Sequence, residues 1–517
     1  MSRTNKSVRN ILFALIMSLA TILIGLISQK VFINILGAEY LGINGLFSSI
    51  VSMLALVELG LGSAIYYHLY KPISDNDIAK VQAIINFYKK GYRLIALSVF
   101  SFGILILPFL STLVGEVKIS ESIYVIYLLF LLEVVFSYLL TYKRAILYVD
   151  QNNHIISTVH FVYLTVMNTL QIAALILTGN FYLYLFLKIV MRLAENVALN
   201  LIANKKYPYL KEKEVIALDP ATKSDIYKKI RGLSYHKIAS YIVLGTDNII
   251  ISAFFGIATV GLYSNYLLVT TAIVMLINQA FTAITASVGN LLVSVKHGKS
   301  FEVYKKIRFG NFWLACFATT SLLVMMNSFI TLWIGSQYLL PIGVLVAISL
   351  NLYLTLIRSS INSFKEAGGI YHEDRFVPIV ESVANLAFSI FLLRHIGLAG
   401  VFLGTACSTL ILHLFSYPKY VYKPLFKQGY YLYYIQFFKN LVITLLIGAF
   451  TYTVSRSITF SSNSKMFIIN ILLCLIIPNL ILFAIFRKSE EFAYFKNLFS
   501  KIYSGLRGRV SLTKAGA

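Results

Sequence analysis

Lys188, Arg192 and Glu195 stand at i, i+4 and i+7 in an otherwise apolar run, so one helical face carries all three. Arg192 falls near the middle of a stretch long enough to cross a bilayer, where a charge costs about 2.5–3.5 kcal/mol on insertion scales. Such a residue faces protein or a water-filled cavity. Two bases against one acid leave a cationic excess, and a guanidinium offers a fork of donors that matches phosphate. The competing reading is an Arg192–Glu195 pair that satisfies itself while Lys188 snorkels outward. Lys237 and Arg358, in later runs, would extend the same phosphate-binding set at its mouth, although a basic residue at a span end also serves as an ordinary anchor. Glu58, Glu133 and Glu195 are acids inside apolar runs, and Glu58 or Glu133 is a candidate counter-ion to Arg192.

A second constellation is built of oxygen ligands. Asp247, Glu381 with Asn385 at i, i+4, and Thr405 all lie within apolar runs of the second half. Oxygens from neighbouring helices are what a Na⁺ site or a proton relay requires; interhelical hydrogen bonding is the alternative. No other metal or cofactor is expected. His68, His154 and His413 lack zinc-like partners in sequence. Asp75-Asn-Asp77 has the form of a sugar-nucleotide Asp-x-Asp motif, but Ser74 with Asp77 ahead of an amphipathic run reads as a helix cap. His372-Glu-Asp-Arg375 is a charged turn, and no Walker loop is present.

The elements that must hold these residues are membrane spans. Of 517 residues 58% are hydrophobic and only 13% charged, with a mean hydropathy of +0.77. Apolar runs of about twenty residues, each able to cross ~30 Å of hydrocarbon, recur along the whole chain. They predict an all-α polytopic membrane protein of about fourteen helices: 10–29, 42–70, 92–114, 122–148, 155–178, 181–203, 233–255, 261–293, 310–333, 340–361, 376–394, 398–418, 434–456 and 464–486. The first run follows Arg3, Lys6 and Arg9 and has no small-residue cleavage site, so a retained helix is expected. Cys316, Cys407 and Cys474 fit neither disulfide nor metal spacing.

The net charge of +24 does not imply nucleic acid, because the basic residues sit in the short polar connections. With the N-terminus inside, inner segments collect 36 of the 45 Lys and Arg, and outer segments hold Lys30, Lys118, Arg394, Arg456 and Lys465. That alternation places both termini in the cytoplasm and the basic loops against anionic membrane lipids. The outer connections are too short for an external catalytic domain. Two echoes point to duplicated halves. Gly37-Ala-Glu-Tyr-Leu-Gly42-Ile returns as Gly256-Ile-Ala-Thr-Val-Gly261-Leu, and Tyr88-Lys89-Lys90 as Tyr304-Lys305-Lys306. An even number of spans between copies gives both the same orientation, with their axis along the membrane normal. The expected divisions are an N-lobe over 1–203, a linker over 204–232, a C-lobe over 233–418, two further helices in 419–486 and a basic tail over 487–517.

The stretch Leu36-Gly-Ala-Glu-Tyr-Leu-Gly-Ile-Asn-Gly-Leu-Phe47, with Leu59-Gly-Leu-Gly-Ser63, Phe87-Tyr-Lys-Lys90 and Gly245-Thr-Asp-Asn-Ile-Ile250, resembles the Wzx-type polysaccharide repeat-unit flippases of the multidrug/oligosaccharidyl-lipid/polysaccharide exporter superfamily. The resemblance covers essentially the whole chain. It implies two six-helix lobes around a central cavity plus two C-terminal helices. It also implies a polyprenyl-pyrophosphate-linked oligosaccharide moved to the outer leaflet of a bacterial cytoplasmic membrane by alternating access, for cell-surface polysaccharide such as capsule. A polymerase and glycosyltransferases would be functional partners, and Asp247, Glu381 and Asn385 would be the counterpart of a coupling-cation site. Two alternatives stay open. A cation-coupled multidrug exporter of the same superfamily would favour the acids Glu58 and Glu133. A membrane polymerase or glycosyltransferase would need an external loop and paired surface acids.

Overall fold

A peptide in hydrocarbon must satisfy its own backbone, and a helix does so within one segment. The computed structural model describes the backbone of residues 3–294 and 297–500 apart from Leu59, 212–216, His372, 459–461 and Phe499. Side chains are described over the same stretches except at 3–15, 232–244, Ala286, 293–294 and 297–298. The described chain is all-α. In order come α1 (Arg3–Leu36), α2 (Ala38–Leu54), α3 (Leu61–Ser74), α4 (Ile78–Ile106), α5 (Leu110–Val114), α6 (Ile123–Tyr138), α7 (Arg144–Val149), α8 (Asn153–Thr178), α9 (Phe181–Lys206) and α10 (Pro220–Phe255). There follow α11 (Ile257–Ser294), α12 (His297–Trp333), α13 (Ile342–Ile357), α14 (Ser359–Ala367), α15 (Val377–Ile396), α16 (Leu398–Ile411), α17 (Lys423–Phe426), α18 (Tyr430–Ser457) and α19 (Asn463–Phe486).

Among the described residues eleven helices are long and apolar enough to cross a membrane, or twelve if α6 and α7, bent by 41°, form one span. Two more are as long: α9, which Lys188, Arg192 and Glu195 make less apolar, and α10. The chain is a multi-pass membrane protein.

Several spans read as continuous are broken. The run 42–70 passes from α2 through a 3₁₀ turn at Ala55–Glu58, and Gly60 at φ 86° starts α3. Leu140 at φ 67° separates α6 from the 3₁₀ turn that leads into α7. Beyond α16 the chain continues as a π-helix, Leu412–Tyr422, which contains Pro418. The polar stretch 204–232 is not all connection, because α10 already begins at Pro220. Its N-cap Asp219 accepts a hydrogen bond from the Thr222 amide at 2.7 Å. Likewise Asp77, not Ser74, caps α4, accepting from the Lys80 amide at 3.0 Å, while Ser74 closes α3.

The chain divides into two compact units, Met1–Ala272 with Arg375–Ser408, and Ile273–Asp374 with Thr409–Ala517. In the first, α9 packs on α6 and α8, α8 on α1, and α10 on α2 and α15. Gly37 (φ 91°) and Gly256 (φ 81°), equivalent in the two echoes, both hold backbone conformations that favour glycine, ahead of α2 and α11. In the second unit α12 is the hub, packing on α13, α18 and α19. There the Trp313 Nε1–H donates to Asn479 Oδ1 at 2.7 Å, tying α12 to α19.

Candidate functional site

Lys188, Arg192 and Glu195 lie on α9, where residues of α6, α7 and α8 meet them, and Arg192 pairs with Glu195 as the competing reading has it. On α9, Arg192 donates through Nε to Glu133 Oε1 at 3.0 Å and through one terminal nitrogen to Glu195 Oε2 at 2.7 Å. Its guanidinium carbon lies 4.9 Å from the centre of the Tyr163 ring. Lys188 Nζ is 3.7 Å from Glu133 Oε2 and 4.9 Å from the centre of the Phe130 ring. Glu195, its side chain fully buried, also receives Arg144 from α7 and faces His160 Nδ1 from α8, each at 2.8 Å.

The roles of the charges therefore separate. Glu195 is saturated by three basic partners and anchors α7, α8 and α9 to one another. Glu133 is shared between Lys188 and Arg192 and is the counter-ion anticipated for Arg192. Three permanent cations, Lys188, Arg192 and Arg144, face two carboxylates, so the cluster keeps an excess of positive charge. Lys188 is the least engaged of them, with one acidic neighbour beyond hydrogen-bonding distance. Sequence reading missed Arg144 and His160. Arg144 falls inside the run 122–148 without a spacing signal, and the break after Tyr138 places it at the start of α7. His160 carries no spacing signal.

The oxygen-ligand set also assembles in part. Thr405 Oγ1 of α16 donates to Asp247 Oδ1 of α10 at 3.4 Å and accepts from Asn385 Nδ2 of α15 at 3.0 Å. Thr246, not singled out from sequence, donates to Asn385 Oδ1 at 3.3 Å. Glu381 lies one turn before Asn385 on α15 and is buried. Three helices thus place oxygen-bearing side chains together in the first unit.

Glu58 ends the 3₁₀ turn after α2. Tyr92 donates to Glu58 Oε1 at 3.4 Å, and Tyr88 donates to the Tyr92 hydroxyl at 2.8 Å. Glu58 borders a cavity of about 500 Å³ whose lining includes Phe87, Lys90, Lys223 and Tyr227. Arg358 caps α13 in the second unit. Lys237 lies on α10, but its side chain is outside the described residues, as is His372 of the charged turn. In that turn Asp374 is buried, pairs with Lys365 and accepts from Ser416 Oγ at 3.2 Å. His413 is buried, while His68 Nε2 sits 3.4 Å from Asp225. Among the described residues no three His, Cys, Asp or Glu are grouped to hold a metal ion.

No protein-family model matches the sequence, and no curated protein matches it either. Solved structures do. Lipid II flippase MurJ in an inward closed conformation superposes with a TM-score of 0.61 at 14% identity, covering 92% of this chain and 98% of that one. An inward-facing multidrug resistance MATE family transporter of the MOP superfamily gives 0.58 at 15% identity, covering 77% and 95%. A point mutant of the Vibrio cholerae MATE transporter VcmN gives 0.55 at 14% identity, covering 83% and 100%. The chain carries the all-helical, membrane-spanning fold of these transporters and this lipid II flippase.

Proposed function

We propose that this protein is a flippase that moves polyprenyl-pyrophosphate-linked oligosaccharides from the cytoplasmic to the outer leaflet of a bacterial cytoplasmic membrane. It works by alternating access in cell-surface polysaccharide assembly and performs no enzymatic chemistry of its own. The observation that carries this reading is the cation excess of Lys188, Arg192 and Arg144 over Glu133 and Glu195 inside the bundle. A half-buried basic cluster is costly within the membrane unless an anion or counter-charges meet it, and pyrophosphate supplies the missing negative charge in a form that guanidinium and ammonium donors bind well. The fold shared with a structure identified as a lipid II flippase supports a lipid-linked cargo. The excess of Lys and Arg in alternate connections supports cytoplasmic termini. Asp247, Thr405 and Asn385, with Glu381 a turn away, are the proposed coupling site for Na⁺ or H⁺. Glycosyltransferases that build the cargo and a polymerase that consumes it are the proposed partners.

A second reading, a cation-coupled drug exporter, draws on Glu58, Phe87 and Tyr227 beside the cavity of about 500 Å³, although Lys90 and Lys223 in the same lining oppose an organic cation. Binding separates the two. The purified protein is titrated with a polyprenyl-pyrophosphate oligosaccharide, with the same sugar on a neutral lipid, and with a cationic dye. Preference for the pyrophosphate that weakens in Arg192→Ala supports the flippase; preference for the dye that is lost in Glu58→Gln transfers support to the exporter.

A further inference from the structure

The second unit contains a small cavity of about 20 Å³ between α12, the α13–α14 junction, the π-helix and α18. Its wall is apolar at Ile357, Ile361 and Phe437 and otherwise polar, with Tyr304, Ser360, His413, Tyr433 and Asn440 buried and Arg308 and Gln436 half-buried. His413 Nε2 lies 3.3 Å from the Leu354 carbonyl, which only accepts, so that nitrogen carries the proton. Nδ1 faces the Tyr433 hydroxyl at 3.3 Å. Both imidazole nitrogens are thus committed to protein partners.

One donor that remains is not. Arg308 Nε is buried and has no hydrogen-bond partner among the described residues. Asn440, 7% exposed, lines the same cavity. No acidic residue lines the cavity. A buried charged donor without an acceptor is among the least tolerable features of a folded protein, so the cavity calls for an occupant that accepts hydrogen bonds and carries negative charge. Its volume admits about one water-sized atom, and the half-buried Arg308 leaves the way in open.

We infer that this cavity seats one oxygen of a phosphate group, with the remainder of that phosphate in front of the Arg308 guanidinium. A phosphate oxygen matches the size of the buried space, and the guanidinium fork matches the oxygens behind it. The surrounding end of the unit is basic: Lys305 and Lys306 on α12, and Lys419, Lys423 and Lys427 along the π-helix and α17. The positive-inside pattern assigns that end to the cytoplasmic surface, where phosphate is present both free and on anionic lipid headgroups. The π-helical widening that brings His413 into the wall is itself a feature that recurs at functional sites. The site is independent of the ionic cluster on α6–α9.

The test is thermal unfolding of wild type, Arg308→Gln and Asn440→Asp. Each is measured in detergent with sodium phosphate or sodium chloride at equal ionic strength, and in nanodiscs of phosphatidylglycerol or phosphatidylcholine. If free phosphate is the source, phosphate raises the wild-type midpoint over chloride, and Arg308→Gln weakens the apparent affinity by about tenfold or more. If a headgroup is the source, phosphatidylglycerol raises the midpoint and inorganic phosphate does not, again only with Arg308 present. Asn440→Asp, nearly isosteric, supplies an internal carboxylate and removes either response while keeping the fold. A midpoint that phosphate and phosphatidylglycerol leave unchanged, that chloride raises equally, or that responds identically in Arg308→Gln overturns the assignment.

Discussion

Gly42 of α2 and Gly261 of α11 pack backbone against backbone: a Cβ on Gly42 would overlap the Ile257 carbonyl, and one on Gly261 the Ala38 carbonyl. Each contact is the other shifted by the same 219 residues. The reciprocity is that of a two-fold axis relating equivalent segments, and the two glycines are the ones that the sequence echo pairs. Gly45 and Ser264, offset by the same number, also meet.

Gly42→Ala therefore forces the two helix starts apart and is expected to cost about 1–3 kcal/mol, the usual range for overpacking. Gly289→Ala, where a Cβ meets nothing within 4 Å, is the control and should be neutral or mildly stabilising. Unfolding in detergent followed by circular dichroism measures both.

Glu195 and Lys188 should separate structure from transport. Glu195→Gln leaves Arg144, Arg192 and His160 facing a neutral amide at a fully buried position. Its partners are partly exposed, so about 3 kcal/mol, the low end for a broken buried pair, is expected. Lys188→Ala removes a contact at 3.7 Å to Glu133 and the approach of the ammonium to the Phe130 ring, and should cost about 1 kcal/mol, yet lower cargo affinity. Midpoints and binding curves on the same preparations check this; a Lys188 variant that unfolds like the Glu195 one refutes the division.

Thr405 hydrogen-bonds both Asp247 and Asn385, so Thr405→Val removes both contacts without altering size. If this is the coupling site, the half-saturating Na⁺ or H⁺ concentration for transport should rise by about tenfold, the scale at which a support to a ligand acts. An unchanged ion dependence would confine the trio to interhelical bonding.

Asn479→Leu removes the acceptor of the Trp313 indole between α12 and α19. The cost should be about 1 kcal/mol. The emission of Trp313, one of only two tryptophans in the chain, should shift, whereas it should not in Asn479→Asp.

Much of this was legible in the chain because lipid imposes a strict code. A run of about twenty apolar residues has few alternatives to a helix, and Lys188, Arg192 and Glu195 declare one face by spacing alone. Asp247, Asn385 and Thr405 stood out because polar oxygens in apolar runs need partners. What stayed hidden depends on backbone irregularity. The breaks at Glu58 and Leu140 rest on a 3₁₀ turn and on residues of positive φ that hydropathy does not register, and Arg144 reaches Glu195 only through the second of them. The start of α10 at Pro220 was concealed because its first turns are polar; its signal was the Asp219-Pro220 cap.

Flipping is read most directly in proteoliposomes loaded with a fluorescent polyprenyl-pyrophosphate oligosaccharide, in which quenching reports the lipid's arrival in the opposite leaflet. Wild type should flip the lipid, the Lys188→Ala, Arg192→Ala double variant should fall to near-background rates, and the same sugar on a neutral lipid should not move. Folded wild type that leaves the pyrophosphate lipid in place while accumulating a cationic dye would contradict the flippase reading.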